Sequence, residues 1–121
     1  MAGRTSEIRN LTRKSLLHDN ARWCVTPSAQ GRGLMFTWPG ARDCLIFPFL
    51  PARVARMHMW FVFGSIDIVA LDGRGIVVAI KERFLPWTFW SSGVPVSCVI
   101  ELPVGAVRRS ATRIGDRIAI P

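Results

Sequence analysis

Apolar residues fall along this chain in short runs of four to seven, alternating with polar or β-branched positions and punctuated by glycine and proline, a pattern that predicts strands rather than helices. Residues 7–11 and 16–25 read as two opening strands, separated by the polar stretch Thr12-Arg13-Lys14-Ser15 of hairpin-loop size. Thr26-Pro27 has the form of an N-cap followed by proline at the first helical position. Gly31 or Gly33 would stop that helix after about two turns. Trp38-Pro39-Gly40 marks a turn, and Cys44-Leu45-Ile46-Phe47 reads as a buried strand closed by Pro48 and Pro51. The clearest element is a hairpin in which residues 66–71 and 76–80 flank Asp72-Gly73-Arg74-Gly75, whose Asp-Gly step suits a tight turn. Residues 97–102 and 117–120 complete the strands, and residues 105–112 hold one helical turn. Strands outnumber helices and connections are short. The expected fold is therefore mainly β, a small barrel-like or sandwich domain with one or two short helices, and the alternative is an open α+β sheet.

Composition narrows this picture. The 121 residues suit a single domain, residues 1–121, and half of them are hydrophobic against a fifth charged, which excludes disorder. The longest apolar stretches, residues 44–50 and 60–66, fall well short of the roughly 20 needed to span a bilayer as a helix. Residues 1–10 carry charges with no apolar run behind them, so they lack the layout of a secretory leader, and a cytoplasmic location is expected. Cys24, Cys44 and Cys98 match neither a disulfide framework nor paired metal-ligand knuckles, and read as buried thiols.

The net charge of +8 comes mostly from arginine, 14 residues against 2 lysines. Such a balance favours nucleic acid, ribosomal surfaces or anionic lipid as partners. Arg4, Arg9, Arg13 and Lys14 crowd the amino end, and Arg108, Arg109 and Arg113 surround a turn near Gly105. Phe84, Trp87, Phe89 and Trp90 lie in a stretch punctuated by Pro86, Gly93 and Pro95, with Lys81 and Arg83 just upstream. Bases can stack on exposed rings while cations meet phosphates, whereas a structural role would fold the same rings over the core. The candidate binding surface is thus Arg9, Arg13, Lys14, Lys81, Arg83, Trp87, Trp90, Arg108, Arg109 and Arg113.

Four strings, in order, carry a family resemblance: Gly33-Leu34-Met35-Phe36; Ile66-Asp67-Ile68-Val69-Ala70-Leu71-Asp72; Val99-Ile100-Glu101-Leu102-Pro103-Val104-Gly105; and Arg113-Ile114-Gly115-Asp116-Arg117-Ile118. With Asn10-Leu11-Thr12-Arg13, Asp19-Asn20-Ala21 and Leu85-Pro86-Trp87-Thr88-Phe89, they make residues 8–121 resemble the archaeal-type members of domain of unknown function 192. The resemblance implies a compact, mostly β, barrel-like fold and no established activity. Members usually show a histidine, a methionine and then a proline before Ile-Asp. Here His58 fits, but Val62 and Ser65 stand at the other two positions, so a role tied to that methionine does not carry over.

Chemistry-bearing residues are few. Met57-His58-Met59-Trp60 gathers donors of the kind that suit Cu(I), yet strand alternation would send the two methionines and His58 to opposite faces. Asp67 is the one acid inside a strongly apolar strand. If buried it must accept backbone hydrogen bonds or pair with an arginine. His18 and His58 sit in no motif with serine or cysteine, and neither Gly31-Arg32-Gly33 nor Gly73-Arg74-Gly75 continues into a phosphate-binding loop. No catalytic residues, metal or cofactor follow from the sequence. The leading expectation is a non-enzymatic binding module for RNA or a ribonucleoprotein. A small-ligand or enzymatic pocket at a barrel end, lined by His58, Asp67 and Glu101, is the second, and a membrane-surface or protein-docking domain the third.

Overall fold

The computed structural model describes residues 6–24, 44–59 and 63–121. The helix expected from Pro27, the turn at Trp38-Pro39-Gly40 and the Gly33-Leu34-Met35-Phe36 string lie outside them. The order is β1 (Ile8–Asn10), β2 (Ser15–His18), β3 (Arg22–Trp23), β4 (Leu45–His58), β5 (Ile66–Leu71), β6 (Val77–Phe84), β7 (Phe89–Pro103), helix α1 (Ala106–Ser110) and β8 (Ile118–Ala119). The fold is mainly β with one short helix among the described residues. It comprises a small sheet in the order β2-β1-β8 and a larger one in the order β3-β4-β7-β5-β6, and no barrel closes among the described residues. No helix among the described residues is long and apolar enough to cross a membrane.

The hairpin expected at Asp72 forms. The Asp72 carbonyl accepts from Gly75 N–H at 3.0 Å, and its carboxylate accepts from the N–H groups of Arg74 and Ile76 at 2.8 and 3.0 Å. Gly75, at φ 81°, takes the left-handed conformation that closes the loop. The second expected strand divides instead of running through residues 16–25. Asn20 N–H donates to His18 Nδ1 at 2.9 Å and Ser6 Oγ donates to the Asp19 carbonyl at 3.0 Å, so β2 ends there in the small sheet and β3 restarts in the large one.

Pro48 and Pro51 do not close the strand that begins at Leu45. β4 continues to His58, its register against β7 shifting between Pro48 and Arg53 and again between Val54 and Arg56. β3 pairs with β4 only at Leu45 and Ile46, so beyond this point one edge of β4 has no strand neighbour among the described residues. A missing N–H is tolerated at a bulge on such an edge. The stretch expected to be an aromatic loop is likewise mostly strand: Phe84 ends β6, residues 85–88 turn, and Phe89 opens β7.

The long β4–β7 ribbon must bend. Ile66 pairs with both Phe84 and Pro103, which places those two about 10 Å apart at ordinary strand spacing. Phe89 lies five residues from Phe84, within about 17 Å of it. A straight β7 would carry Phe89 about 46 Å from Pro103. The shifts in β4 and Gly93, at φ 74°, supply the curvature.

Two cores result, one on each face of the large sheet. Ile46, Val69, Leu71, Cys98, Ile100 and Leu102 face the small sheet and α1 together with Ile8, Leu17, Val107 and Ile118. On the other face Leu45, Ile68 and Val99 meet Ala55, Met59, Phe84 and Val96, because the bent ribbon folds over them.

Candidate functional site

The basic residues from the two ends of the sequence converge. Asn10, fully buried at the end of β1, accepts from Arg13 N–H through Oδ1 at 2.9 Å. Its Nδ2 donates to Thr112 Oγ1 at 3.1 Å and to Asp116 Oδ2 at 2.9 Å. The same Asp116 oxygen accepts from Arg13 Nε at 3.0 Å and from Arg113 N–H at 2.9 Å. Burial alone would push this carboxyl up, but the bonds from Arg13, Asn10 and the Arg113 amide outweigh it and hold Asp116 below the ordinary carboxylate range. Ser15 Oγ donates to the Ser110 carbonyl at 2.7 Å, fastening β2 to the end of α1. Arg13 and Arg113 therefore stand exposed at one buried polar network, with Lys14 next to Arg13 in sequence and Arg108 and Arg109 exposed on α1, the Arg109 guanidinium lying beside Gly105.

Arg117 and Arg74, which the sequence did not single out, extend this face. Leu11 N–H donates to the Arg117 carbonyl at 2.8 Å, Arg117 N–H to Thr12 Oγ1 at 2.9 Å, and Arg117 Nη1 to the Arg74 carbonyl at 3.3 Å. These contacts span 43 to 106 residues of sequence, so no local pattern announces them. Arg9 is exposed on β1 and paired with Glu7 at 2.9 Å. Arg4 lies outside the described residues.

Asp67 joins the remaining cations to this region. It is fully buried, and its Oδ1 accepts from Arg83 N–H at 3.0 Å while Oδ2 accepts from Gly105 N–H at 3.1 Å and Val107 N–H at 3.0 Å. Gly105 has no side chain with which to cap α1, so a strand residue 38 positions away does so. The bonds fix Arg83, at a left-handed φ of 52°, beside the start of the helix. Lys81 is half-buried two residues earlier. In the turn that follows, Trp87 N–H donates to the Met59 carbonyl and Met59 N–H to the Thr88 carbonyl, both at 2.8 Å. This leaves Trp87 49% exposed and Phe89 75% exposed. Trp90 instead packs on the second core.

The three residues expected to line a pocket do not meet. Asp67 pairs with Leu102 and Ile68 with Glu101, so the two carboxyls occupy opposite faces of the sheet. His58 is exposed at the far end of β4, opposite Phe89. Glu101 is buried in the second core, and its Oε1 has no hydrogen-bond partner. Desolvation pushes this carboxyl up to about 8.

All three cysteines are buried thiols that form no disulfide. Burial raises the Cys24 thiol, and burial pushes the thiols of Cys44 and Cys98 up to about 12, as suits inert core residues. Met59 is buried and Met57 half-buried against the second core, with His58 exposed between them. Among the described residues no three His, Cys, Asp or Glu side chains are grouped to hold a metal ion.

Comparison with known proteins agrees with this fold. The chain is 39% identical to a UPF0127 protein of Thermococcus sibiricus over 72% of its own length and 56% of that protein's, so it spans little more than half of that relative. It is 30% identical to a UPF0127 protein of Thermococcus kodakarensis over 93% of its length and 71% of the relative's. A crystal structure of a candidate transcription regulator from Sinorhizobium meliloti superposes with a TM-score of 0.81 at 27% identity, covering 94% of this chain and 90% of that one. A crystal structure of a protein of unknown function from Novosphingobium aromaticivorans gives 0.80 at 22% identity, covering 93% and 81%, a likeness of fold alone. The family model described as Uncharacterized ACR, domain of unknown function 192, matches residues 9–120, and the chain belongs to that family.

Proposed function

We propose that this chain is a non-enzymatic binding module whose basic face takes up RNA, free or within a ribonucleoprotein. The observation that carries the reading is that Arg13 and Arg113 meet at the buried Asp116 of the Asn10–Asp116 network, while the Ser15–Ser110 bond brings the strand after Lys14 against the helix that bears Arg108 and Arg109. That network spends its own acid internally, because the Asp116 side chain is only 3% exposed and already bonded. The cations thus surround little competing negative charge, a favourable arrangement for phosphate groups. Arg83 and the exposed Trp87 and Phe89 add a charge and two rings on which bases can stack.

The test is fluorescence anisotropy with a labelled single-stranded RNA, an RNA duplex and a DNA duplex at 50 and 200 mM salt. The DNA arm is included because one similar structure is that of a candidate transcription regulator. Binding is expected to weaken with salt with a log–log slope of about −0.7 per phosphate contacted on a single strand. A triple reversal, R108E/R109E/R113E, should abolish it. Absence of RNA binding at 50 mM salt, or survival of full affinity in the triple variant, sinks the reading.

The exposed Leu85, Trp87 and Phe89 favour a second reading, a membrane-surface or protein-docking patch. Sedimentation with neutral and anionic vesicles separates the two. A docking turn that enters lipid would be lost in W87S/F89S and spared in the triple arginine variant.

A further inference from the structure

The basic face has two ends, and hydrogen bonds fix what lies between them. Asp67 stands near the start of β5 and Asp72 just past its end, five residues or about 17 Å apart. At the Asp67 end one carboxylate accepts from the amides of Arg83 and Gly105, and the Arg109 guanidinium lies over Gly105, its Nη1 2.8 Å from where a Cβ would stand. Helix α1 then leads to Ser110, tied to Ser15, and on to Asp116, at which Arg13 and Arg113 meet. At the Asp72 end the Arg117 amide donates to Thr12 and its Nη1 to the Arg74 carbonyl, while Ile118 N–H donates to the Gly75 carbonyl at 2.8 Å. Arg83, Arg109, Arg113, Arg13, Arg117 and Arg74 thus form a row linked by these contacts from one end of β5 to the other, and all six are exposed. The carboxylates along the row compete little. Asp67 and Asp116 are buried, and Asp72 accepts from the amides of Arg74 and Ile76 and from Arg74 Nη2; Glu82, beside Arg83, is exposed.

We propose, building on the RNA-binding reading, that the ligand is a single RNA strand laid along this row from the Asp67 end to the Asp72 end, with Arg74 and Arg117 contacting its phosphates at the far end. A lone phosphate or a mononucleotide would satisfy two or three of these arginines and leave the rest without an anion, whereas a row of cations matches a row of phosphates. Stacked nucleotides advance about 3.4 Å each, so a reach of about 17 Å takes about six phosphates. The choice of a single strand over a duplex comes from the other end. Past Arg83 the chain turns through Trp87, 49% exposed, to Phe89, 75% exposed, and exposed rings serve unpaired bases, which a duplex keeps stacked inside.

The experiment uses the full chain with fluorescein-labelled oligoadenylates of 2, 4, 6, 8 and 10 nucleotides and an RNA duplex of ten base pairs, followed by anisotropy at 50 mM salt. Affinity is expected to rise at least tenfold from two to six nucleotides and less than threefold from six to ten. The duplex should bind at least tenfold more weakly than the ten-nucleotide strand. R74E/R117E should weaken that strand at least tenfold, reduce the size of its log–log salt slope by about 1.4, the value for two lost phosphate contacts, and move the plateau to shorter oligomers. R74A/R117A, which removes the two charges without reversing them, serves if the reversal does not fold. Equal affinity for strand and duplex, a plateau already reached at two nucleotides or still absent at ten, or full affinity in a folded Arg74/Arg117 variant overturns the single-strand track; RNA binding itself then stands if R108E/R109E/R113E abolishes it. Absence of binding to every oligomer and to the duplex overturns both.

Discussion

Replacing Asp67 with alanine removes a side chain that joins β5, the end of β6 and the start of α1. Three backbone donors lose their acceptor at once: Arg83 and Gly105, both partly buried, and Val107, fully buried. A stranded buried N–H costs about 1–3 kcal/mol, and a partly buried one falls near the lower limit because water reaches it. Taking about 2 for Val107 and about 1 for each of the others, D67A should destabilise the fold by about 4 kcal/mol. D67N preserves shape but turns an N–H-bearing amide toward donors on one side, so about 2–3 kcal/mol is expected. Against a total stability of about 5–15 kcal/mol these are large fractions. Urea unfolding followed by circular dichroism measures them. With a slope of about 1.5 kcal/mol per molar, the D67A midpoint should fall by roughly 2–3 M. Amide hydrogen exchange supplies a local check, since protection at Gly105 and Val107 should fall further than protection at Ile100 in the sheet centre. A loss below about 1 kcal/mol, or unchanged exchange at both helix amides, would refute the capping argument, for it would mean that water replaces the carboxylate at little cost.

The other predictions concern pH, the polar network and the turn. Glu101 titrates higher folded, at about 8, than its ordinary value of 4.5, so the folded state holds a proton that the unfolded chain releases. Its contribution is fully present below about pH 4.5 and is lost as pH rises through about 8, at up to about 1.4 kcal/mol per unit; E101Q should flatten this alkaline decline in melting temperature, and an unchanged profile counts against it. Asp116 has the opposite sign, because its folded carboxyl lies below its ordinary value of 3.8: its stabilisation is present above that value and lost as pH falls through the folded one. D116A should cost about 2–4 kcal/mol at pH 7 by stranding Asn10 Nδ2 and the Arg113 amide, and should lessen the acid loss measured by urea titration at pH 2 to 5. At Gly75 an added Cβ would sit 3.0 Å from the Ile118 carbonyl oxygen in a left-handed backbone, so G75A should lower stability by about 1–2 kcal/mol in thermal unfolding, whereas G73A, whose nearest contact is 3.5 Å, should cost less.

How far the fold could be read from the sequence depended on whether its cause was local. The Asp72 turn is local: an acid, two glycines and flanking β-branched residues within a dozen positions determine it, and it forms as expected. The short helix after Gly105 and the buried thiols follow from equally local chemistry. The fate of β4 is not local. Pro48 and Pro51 end a strand when both its edges must be bonded, and here one edge is left without a strand neighbour while the register shift absorbs them, facts set by β3 and β7. The division of residues 16–25 likewise depends on Ser6 reaching the Asp19 carbonyl. For the candidate sites the contrast is sharper. Alternation placed Asp67 on the face of Val69 and Leu71, and its need for a partner was legible, but nothing in the sequence names Arg83, Gly105 and Val107 as the donors. Grouping it with Glu101 failed because those residues lie on different strands, where only the register decides the face: Glu101 opposite Ile68 puts the two acids back to back. The same register makes them physically distinct. Asp67 is saturated with donors and therefore architectural, while Glu101, among apolar neighbours with an unbonded Oε1, is the acid whose burial the fold leaves uncompensated.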